Sequence, residues 1–315
     1  MSKEAFKAVS FLQIDAEYAD QRIDNYLFSR LKTLPKTRLY RLLRKGEIRV
    51  NKKRTGPSYR LQAGDVIRLP PMHLEPTQDL GAPKPRAVER LQASIIYEDK
   101  GLMIINKPSG IPVHGGTRTP MGVVETLRAM YPKLPQLELA HRLDAETSGV
   151  LILAKKRSVL REIHALLRTG GAIHKVYWAL TLGQWKKADL RVDVALSKNH
   201  LSSGERIVRV DAEGKESLTV FKTLKTFENA SLVEATLHTG RTHQIRVHAS
   251  YRGHPLAGDE KYGDKDFNKI MRQLGLKRLF LHAKKIEFIL PSTGQVVSVE
   301  APLDPDLEAC LAALT

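Results

Sequence analysis

A long series of strand-like segments follows residue 92, and this series restricts the possible fold more than any other feature of the chain. Apolar runs predict a hairpin in ASIIYEDKGLMIINKP, a buried strand in GVLILAKK, and further strands in HKVYWALTLG, SLTVFKTLKTF and ASLVEATLH. A second hairpin is predicted in KKIEFILPSTGQVVSVEAP. Helical segments such as VLREIHALLRTGG and THQIRVHASYRG are interspersed irregularly. The pattern therefore predicts an α+β fold with a mixed, mostly antiparallel sheet rather than regular βαβ winding.

A smaller αα-β unit is predicted before this domain. DQRIDNYLFSRL and KTRLYRLLRKG have helical spacing, and Gly46 is the predicted C-cap of the second helix. IRVNKKR and DVIRLP are predicted strands, joined by a turn near Gly56. The stretch PMHLEPTQDLGAPKPR has four prolines and little periodicity. We therefore expect a first domain at residues 18–82, a linker at 83–91 and a second domain at 92–315.

The positive charge of the chain is concentrated in the predicted N-terminal unit. The formal net charge is +17, and residues 20–70 contain 14 Lys or Arg against four Asp or Glu. Residues 36–54 alone contain nine basic residues and one acidic residue. A generic charged surface usually mixes signs, so this segment indicates a polyanionic partner.

Several classes of protein are disfavoured by what the sequence lacks. A single cysteine, Cys310, excludes an intramolecular disulfide framework and cysteine-rich metal sites. There is no secretory signal pattern and no apolar run near the ~18 residues that a membrane span needs. Phosphate-loop, dinucleotide-binding and HExxH motifs are also absent. We expect a soluble, cytoplasmic protein without a metal site.

Asp144 is the first candidate for chemistry, because it lies in HRLDAETSGVLILAKK just before the predicted buried strand. A carboxylate held at the entrance of a buried strand is well placed to act on a ligand. Asp, Thr, Ser and Gly are also ordinary turn formers. From these residues alone, a catalytic role and a turn role stay open.

Two further clusters carry candidate residues. In HKVYWALTLG, strand alternation places Lys175 and Tyr177 on one face, so Tyr177 could line a pocket or be a half-buried cross-strand aromatic. In HTGRTHQIRVH, a helix starting near Gly240 is expected to carry Arg241 and Arg246 in different directions. An inward arginine needs an anion, which Asp144 could supply, although both arginines could equally be solvated.

Taken together, these motifs resemble the RluA-type pseudouridine synthases. The resemblance rests on HRLDAETSGVLILAKK, IHKVYWAL and LHTGRTHQIRVHASYRGHPLAGDEKYG in order, with INKPSGIPVH before them and FLHAKKIEF after them. It covers roughly residues 92–305. The N-terminal unit resembles the S4 RNA-binding domain through RIDNYLFSRL, KTRLYRLLRKGEIRVNKKR and LQAGDVIRLP.

The resemblance implies site-specific isomerisation of uridine to pseudouridine in large-subunit (23S) ribosomal RNA, without metal or organic cofactor. Asp144 aligns with the family's essential aspartate, Arg246 with the arginine that pairs with it, and Tyr177 with the active-site tyrosine. Ile245 would complete the apolar wall of the base pocket. Arg142 would fill the space that a flipped nucleotide leaves. Whether the aspartate attacks the sugar, attacks the uracil or removes a sugar proton stays open.

The expected partner is ribosomal RNA, with no membrane and no small-molecule cofactor, and we expect a monomer. The candidate RNA contacts are the basic residues of the S4-like unit, namely Lys36, Arg38, Arg41, Arg44, Lys45, Lys52, Lys53 and Arg54. The alternative function is a non-catalytic ribosomal RNA-binding or assembly protein. An RNA methyltransferase or a glycosidase is a further rival, but no glycine-rich methyl-donor motif and no second carboxylate were found for either.

Overall fold

The computed structural model describes residues 8–31, 33–72, 74, 81–116, 119–134, 136–185, 189–200 and 206–314. The chain forms two compact units, which meet in the sequence between Gly81 and Ala82. Each has its own hydrophobic core. Across the described ranges, the structure contains no helix that is both long enough and apolar enough to cross a bilayer.

Within its described residues, the first unit has two α-helices and a four-stranded antiparallel sheet. The helices are α1 (Ile23–Arg30) and α2 (Lys36–Lys45). The strands are β1 (Ser10–Gln13), β2 (Arg49–Val50), β3 (Lys53–Arg54) and β4 (Val66–Leu69), in the order β1-β4-β2-β3. Apolar side chains of both helices pack with those of the sheet, as the helical spacing of the leucines predicts. The αα-β prediction for this unit is confirmed.

The end of α2 and the turn that follows show why this unit presents its basic residues. Gly46 has φ 69° and caps α2, as predicted. The segment IRVNKKR is a hairpin and not the single strand that we expected. Its two turn residues, Asn51 and Lys52, have φ values of 48° and 68°, as a two-residue type I′ turn requires. The turn leaves Lys52 and Lys53 exposed.

The region predicted as a linker has a different structure. Pro85–Gln92 forms helix α3, with proline in its first turn, and Leu91 of this helix is buried in the core of the second unit. The proline that suggested a linker therefore begins a helix. The second unit starts at residue 82 instead of residue 92.

The second unit is an α+β domain with a ten-stranded sheet. Besides α3, its helices are α4 (Val123–Met130), α5 (Arg157–Arg168), α6 (Gln244–Tyr251), α7 (Lys265–Gln273) and α8 (Pro305–Ala313). Its first strands are β5 (Ile95–Glu98), β6 (Leu102–Lys107), β7 (Glu138–Leu139), β8 (Ser148–Ala154) and β9 (His174–Leu182). They are followed by β10 (Asp189–Asp193), β11 (Leu196–His200), β12 (Arg206–Val210), β13 (Leu218–Thr226), β14 (Ala230–Leu237), β15 (Leu281–Ile289) and β16 (Val296–Glu300).

The sheet order is β10-β13-β14-β9-β15-β8-β6-β5, with β16 paired to β15 and β7 to β8, while β11 and β12 form a separate hairpin. Among the strands that the structure describes, only β8 and β15 pair in parallel, so the mixed, mostly antiparallel sheet is confirmed. Every residue of β8 is buried. Gly149 has φ 105°, and a Cβ there would lie 2.3 Å from the backbone oxygen of Ala283. The parallel pairing therefore requires glycine at this position.

A buried polar network fixes the start of β8 against β15. The hydroxyl of Ser148 accepts a hydrogen bond from Nη1 of Arg278 (3.1 Å) and lies 2.8 Å from Nδ1 of His282. His282 is fully buried, and burial lowers its pKa to about 4. Arg278 also binds Asp304 and Asp306, both at 2.7 Å. The network holds the strand that follows Asp144.

We expect the second unit to lose stability on acidification because of His282. Its pKa in the folded protein lies below the ordinary value of 6.5, so the unfolded chain binds an extra proton as the pH falls from about 6.5 towards 4. His282 alone should contribute about 2 kcal/mol to the loss between pH 7 and pH 5. Urea unfolding followed by the fluorescence of Trp178 and Trp185 measures it. His282→Asn should flatten this dependence, whereas the exposed His114→Asn should not.

Candidate active site

Asp144 lies in the loop between β7 and β8, where two concave surfaces meet. On one side is an open groove of about 920 Å³, lined by the 139–146 segment, His114 and His164. On the other side is a narrow cavity of about 120 Å³, which reaches Tyr177 and Ile245. Both surfaces include Asp144, whose side chain is 22% exposed. A group that enters from the groove therefore meets the carboxylate at the mouth of the cavity.

Lys107, which is fully buried, supports the loop that carries Asp144. Its Nζ donates hydrogen bonds of 3.0 Å to the carbonyl oxygens of Pro108, Ile111 and Ala145. Burial lowers the pKa of Lys107 to about 7, while three carbonyl acceptors match the three N–H bonds of its protonated form. Because one acceptor is the carbonyl of Ala145, this lysine fixes the backbone next to Asp144.

Tyr177, which lines the cavity, has small neighbours in the sheet. Tyr177 on β9 pairs with Ala283 on β15 and with Ala235 on β14, and Ala283 pairs in turn with Gly149 on β8. Residues paired across strands project to the same face. The large ring of Tyr177 therefore stands in a row with one glycine and two alanines. Ile245 of α6 adds an apolar wall to the cavity.

Tyr177 is almost fully buried and keeps its phenolic proton. Burial raises its pKa, and the negative charge of Asp144 raises it further. The ring is thus a neutral surface beside a carboxylate. It can pack against a flat, uncharged group and donate a hydrogen bond.

Arg246 lies close to two carboxylates, those of Asp144 and Asp259. Its Nε and Nη2 donate hydrogen bonds of 2.7 Å to the two oxygens of Asp259, whose side chain is fully buried. Its Nη1 lies 3.6 Å from Oδ2 of Asp144. Burial opposes the charge on both partners, but the bidentate pair raises the pKa of Arg246 and lowers that of Asp259. The structure thus brings Arg246 near Asp144, as expected, although its closest anion is Asp259.

The start of α6 differs from the prediction. The helix begins at Gln244, so Arg241 and His243 precede it. His243 has φ 53°, a left-handed conformation that costs a residue other than glycine about 1 kcal/mol or more. Its Nδ1 lies 2.8 Å from the hydroxyl of Tyr262, and its Nε2 lies 3.6 Å from Oδ2 of Asp144. His243 therefore borders the carboxylate from the helix side.

Four residues of this site were missed by sequence reasoning. Asp259, Lys107 and Tyr262 lie within the quoted motifs GDEKYG and INKPSG, but no spacing rule connects them with Asp144. His243 lies in the motif HTGRTHQIRVH, but nothing in its spacing connects it with Asp144 either. Among the residues that the structure describes, no three potential metal-ligating side chains come together. The signal that could have found these residues is that they belong to the quoted motifs. The structure brings these motifs together around Asp144.

Arg142, the residue expected to hold a flipped nucleotide open, is exposed two residues before Asp144. It lines both the groove and the cavity. Its position is therefore compatible with occupying the entrance between them. Ile245 is 4% exposed and lies in the cavity wall.

The eight predicted RNA contacts lie on α2 and on the hairpin that follows it. All are exposed except Arg38, which is half-buried, and Lys36 also lies 5.4 Å from the ring of Phe28. A further basic row was missed. Arg54, Arg49 and Arg68 pair across β3, β2 and β4, and the exposed Phe11 of β1 ends the row. Its signal was strand alternation, which places these arginines opposite the apolar face.

The fold and this site define a class of protein, and comparison with known sequences agrees. Residues 101–251 match the family model described as RNA pseudouridylate synthase, and residues 21–67 match the S4 domain model. The chain belongs to the pseudouridine synthase family, as its near-full-length relatives show.

Two of these relatives carry the same name, ribosomal large subunit pseudouridine synthase C. The protein of Pasteurella multocida is 51% identical over 309 residues, covering 98% of this chain and 94% of the relative. That of Escherichia coli is 50% identical and covers 96% of each. Among solved structures, human RNA pseudouridylate synthase domain containing 4 is 28% identical, with a TM-score of 0.59 over 72% of this chain and 95% of its own.

Replacing Asp259 tests the dependence of the site on its buried ion pair. Asp259→Asn leaves the Arg246 guanidinium without its closest countercharge, and we expect a loss of about 3 kcal/mol in unfolding free energy. Denaturant unfolding measures this. Asp193→Asn, at an exposed ion pair with Arg191, is the matched control and should change stability by less than about 1 kcal/mol. Equal effects of the two substitutions would contradict the role given to Asp259.

Proposed function

We propose that this protein isomerises specific uridines of large-subunit ribosomal RNA to pseudouridine. Family membership supports the reaction, and the names of the near-full-length relatives support the substrate. The described residues of one chain supply the whole candidate site. We therefore expect a monomer to be sufficient, and we expect it to act in the cytoplasm.

The position of Asp144 is the single observation that carries this proposal. The carboxylate stands at the mouth of a narrow cavity. Nη1 of Arg246 and Nε2 of His243 each lie 3.6 Å from the same carboxylate oxygen, Oδ2. A surface that only binds RNA has no use for an anion fixed in this way, because a carboxylate repels phosphate. Isomerisation needs such a group.

The reaction breaks the bond between N1 of uracil and C1′ of the ribose and forms a bond between C5 and C1′. The proton on C5 is lost and N1 gains one, so the atoms balance without a co-reactant. C1′ becomes electron-poor when the base leaves, and an adjacent carboxylate can stabilise or trap it. Asp144 is the residue placed for this step. Tyr177 and Ile245 are placed to hold the detached uracil while it turns.

Entry to the cavity requires that the uridine leaves its stack, which costs a few kcal/mol. The groove beside Asp144 has room for the flanking nucleotides. Arg142 lies where a side chain could replace the extruded base. Phosphate contacts with the basic N-terminal unit can supply binding energy to offset this cost.

Asp144→Asn should abolish pseudouridine formation while RNA affinity stays within about threefold, because the amide keeps the shape and loses the charge. Purified protein is incubated with large-subunit RNA transcripts, and the nucleosides are then separated and measured by mass spectrometry. Glu228→Gln, an exposed carboxylate in the turn between β13 and β14, is the control and should retain activity. Near-wild-type conversion by the Asn variant would exclude the catalytic role.

The same assay separates the proposed enzyme from a non-catalytic assembly protein. Mapping of pseudouridines in ribosomal RNA from cells without the gene should show specific uridines left unmodified. The wild-type gene should restore them and the Asn variant should not. If both genes restore ribosome assembly and neither restores a modification, the non-catalytic reading is correct.

Lys52 and Lys53 test the docking role of the N-terminal unit. Replacing both with glutamine should reduce the slope of log affinity against log salt by about 1.5, since each lost phosphate contact removes about 0.7 to 0.9. Filter binding or fluorescence anisotropy at several salt concentrations measures it. Replacement of the exposed Lys265 and Lys269 on α7 removes the same charge elsewhere and should leave the slope unchanged. Identical slopes for both pairs would contradict docking through the hairpin.

A further inference from the structure

His243 stands between the candidate catalytic carboxylate and a tyrosine that the proposed reaction does not use. Its Nε2 lies 3.6 Å from Oδ2 of Asp144, and its Nδ1 lies 2.8 Å from the hydroxyl of Tyr262. The imidazole is 17% exposed. Its two nitrogens therefore face two different groups, and the position of the ring proton decides what each contact does.

The hydrogen bonds around Tyr262 assign that proton. The backbone N–H of Val208 donates to the hydroxyl oxygen of Tyr262 at 2.9 Å. The hydroxyl can then donate its own proton to Nδ1 of His243. In this tautomer Nε2 carries the ring proton and directs it at the carboxylate. The other tautomer would direct a lone pair of Nε2 at the negative charge of Asp144, which is unfavourable.

The charges around the ring keep this arrangement neutral. Burial lowers the pKa of His243, and Arg246 and Lys261 lower it further, against the opposing effects of Asp144 and Asp259. Burial raises the pKa of Tyr262, so its hydroxyl keeps the proton that it donates. The groups facing the ring are thus two carboxylates, two cations and one neutral phenol.

The backbone shows that this position is specified. His243 has φ 53°, a conformation in which histidine and asparagine are more frequent than most residues other than glycine. Sparsely populated conformations of this kind concentrate at functional sites. Here the left-handed turn directs the ring back over the Asp144 loop just before α6 begins.

Val208 extends the chain of contacts to the β11–β12 hairpin. Leu196 and Val208 of this hairpin pack against Val247 of α6 and next to Tyr262. The hairpin carries the basic residues Lys198 and Arg209. Together with Arg241, it also borders a third concave surface, separate from the groove and the cavity described above. Its docking on α6 therefore sets the position of Tyr262, and through Tyr262 that of the imidazole.

We propose that His243 is a positioning residue of the isomerisation, which holds Oδ2 of Asp144 so that Oδ1 is the oxygen presented to the nucleotide. Arg246 and His243 both lie 3.6 Å from Oδ2. Arg246 belongs to α6, and His243 is the residue before this helix. Tyr262 and the β11–β12 hairpin fix the ring. This inference rests on the proposed function, because it assigns a role within that reaction.

His243→Asn is the variant that isolates this contact. Asparagine tolerates the left-handed conformation, and its amide can replace Nδ1 opposite Tyr262 but is too short to reach Asp144. We expect the single-turnover rate to fall about tenfold or more with RNA affinity within about threefold.

His243→Gln and Tyr262→Phe distinguish positioning from a structural role. Glutamine can place an N–H near the position of Nε2, so it should recover part of the rate. Phenylalanine keeps the ring beside Arg246 but removes the hydroxyl that sets the tautomer. Tyr262→Phe should slow the reaction, and combining it with His243→Asn should add little further loss, because both act through one contact.

The outcomes separate this inference from the function on which it rests. If the wild type forms pseudouridine, Asp144→Asn does not, and His243→Asn matches the wild type in rate, the positioning role is wrong and the function stands. If the Asn and Gln variants are equally slow, His243 is only structural. If the wild type forms no pseudouridine in large-subunit RNA, the function and the inference fail together.

Discussion

The ion pair between Arg246 and Asp259 is the contact on which the rest of the site depends. Two hydrogen bonds of 2.7 Å fix the guanidinium, and the backbone N–H groups of Lys261 and Tyr262 fix the carboxylate. An unpaired buried charge is costly, so the arginine cannot turn away. Its remaining nitrogen therefore faces Asp144 with little freedom. The geometry around the candidate carboxylate is thus set by a second carboxylate that does not line the cavity.

The sheet supplies the other half of this arrangement. Parallel pairing of β8 with β15 holds the strand that begins after the Asp144 loop, and Lys107 ties the loop itself to the segment after β6. Tyr177 stands in the sheet between Ala235 and Ala283. The three groups of the proposed reaction thus come from a loop, a strand and a helix. Rigid elements support each of them, which is the requirement for preorganised catalysis.

Sequence reasoning succeeded where one local pattern dominates. The buried run after Asp144 predicted a central strand, and the alternation around Tyr177 predicted another strand. The glycine after α2 predicted the end of that helix. The structure has all three elements. It failed where context decides. Residues 83–91 combine proline with few apolar residues, yet Leu91 finds a core and the segment becomes a helix. The helix predicted from Gly240 begins only at Gln244, because His243 adopts a left-handed turn.

The sequence by itself determined the fold class, the family and the candidate aspartate, because hydrophobic periodicity and contiguous motifs are properties of neighbouring residues. The partner of Arg246 was decided only by the tertiary structure. Asp144 and Asp259 are both available anions in the sequence, and the distances of 3.6 Å and 2.7 Å alone distinguish them. The same holds for His243, whose two contacts lie 99 positions before it and 19 positions after it. Charge and hydrogen bonding act through space, so their partners follow from how the chain packs.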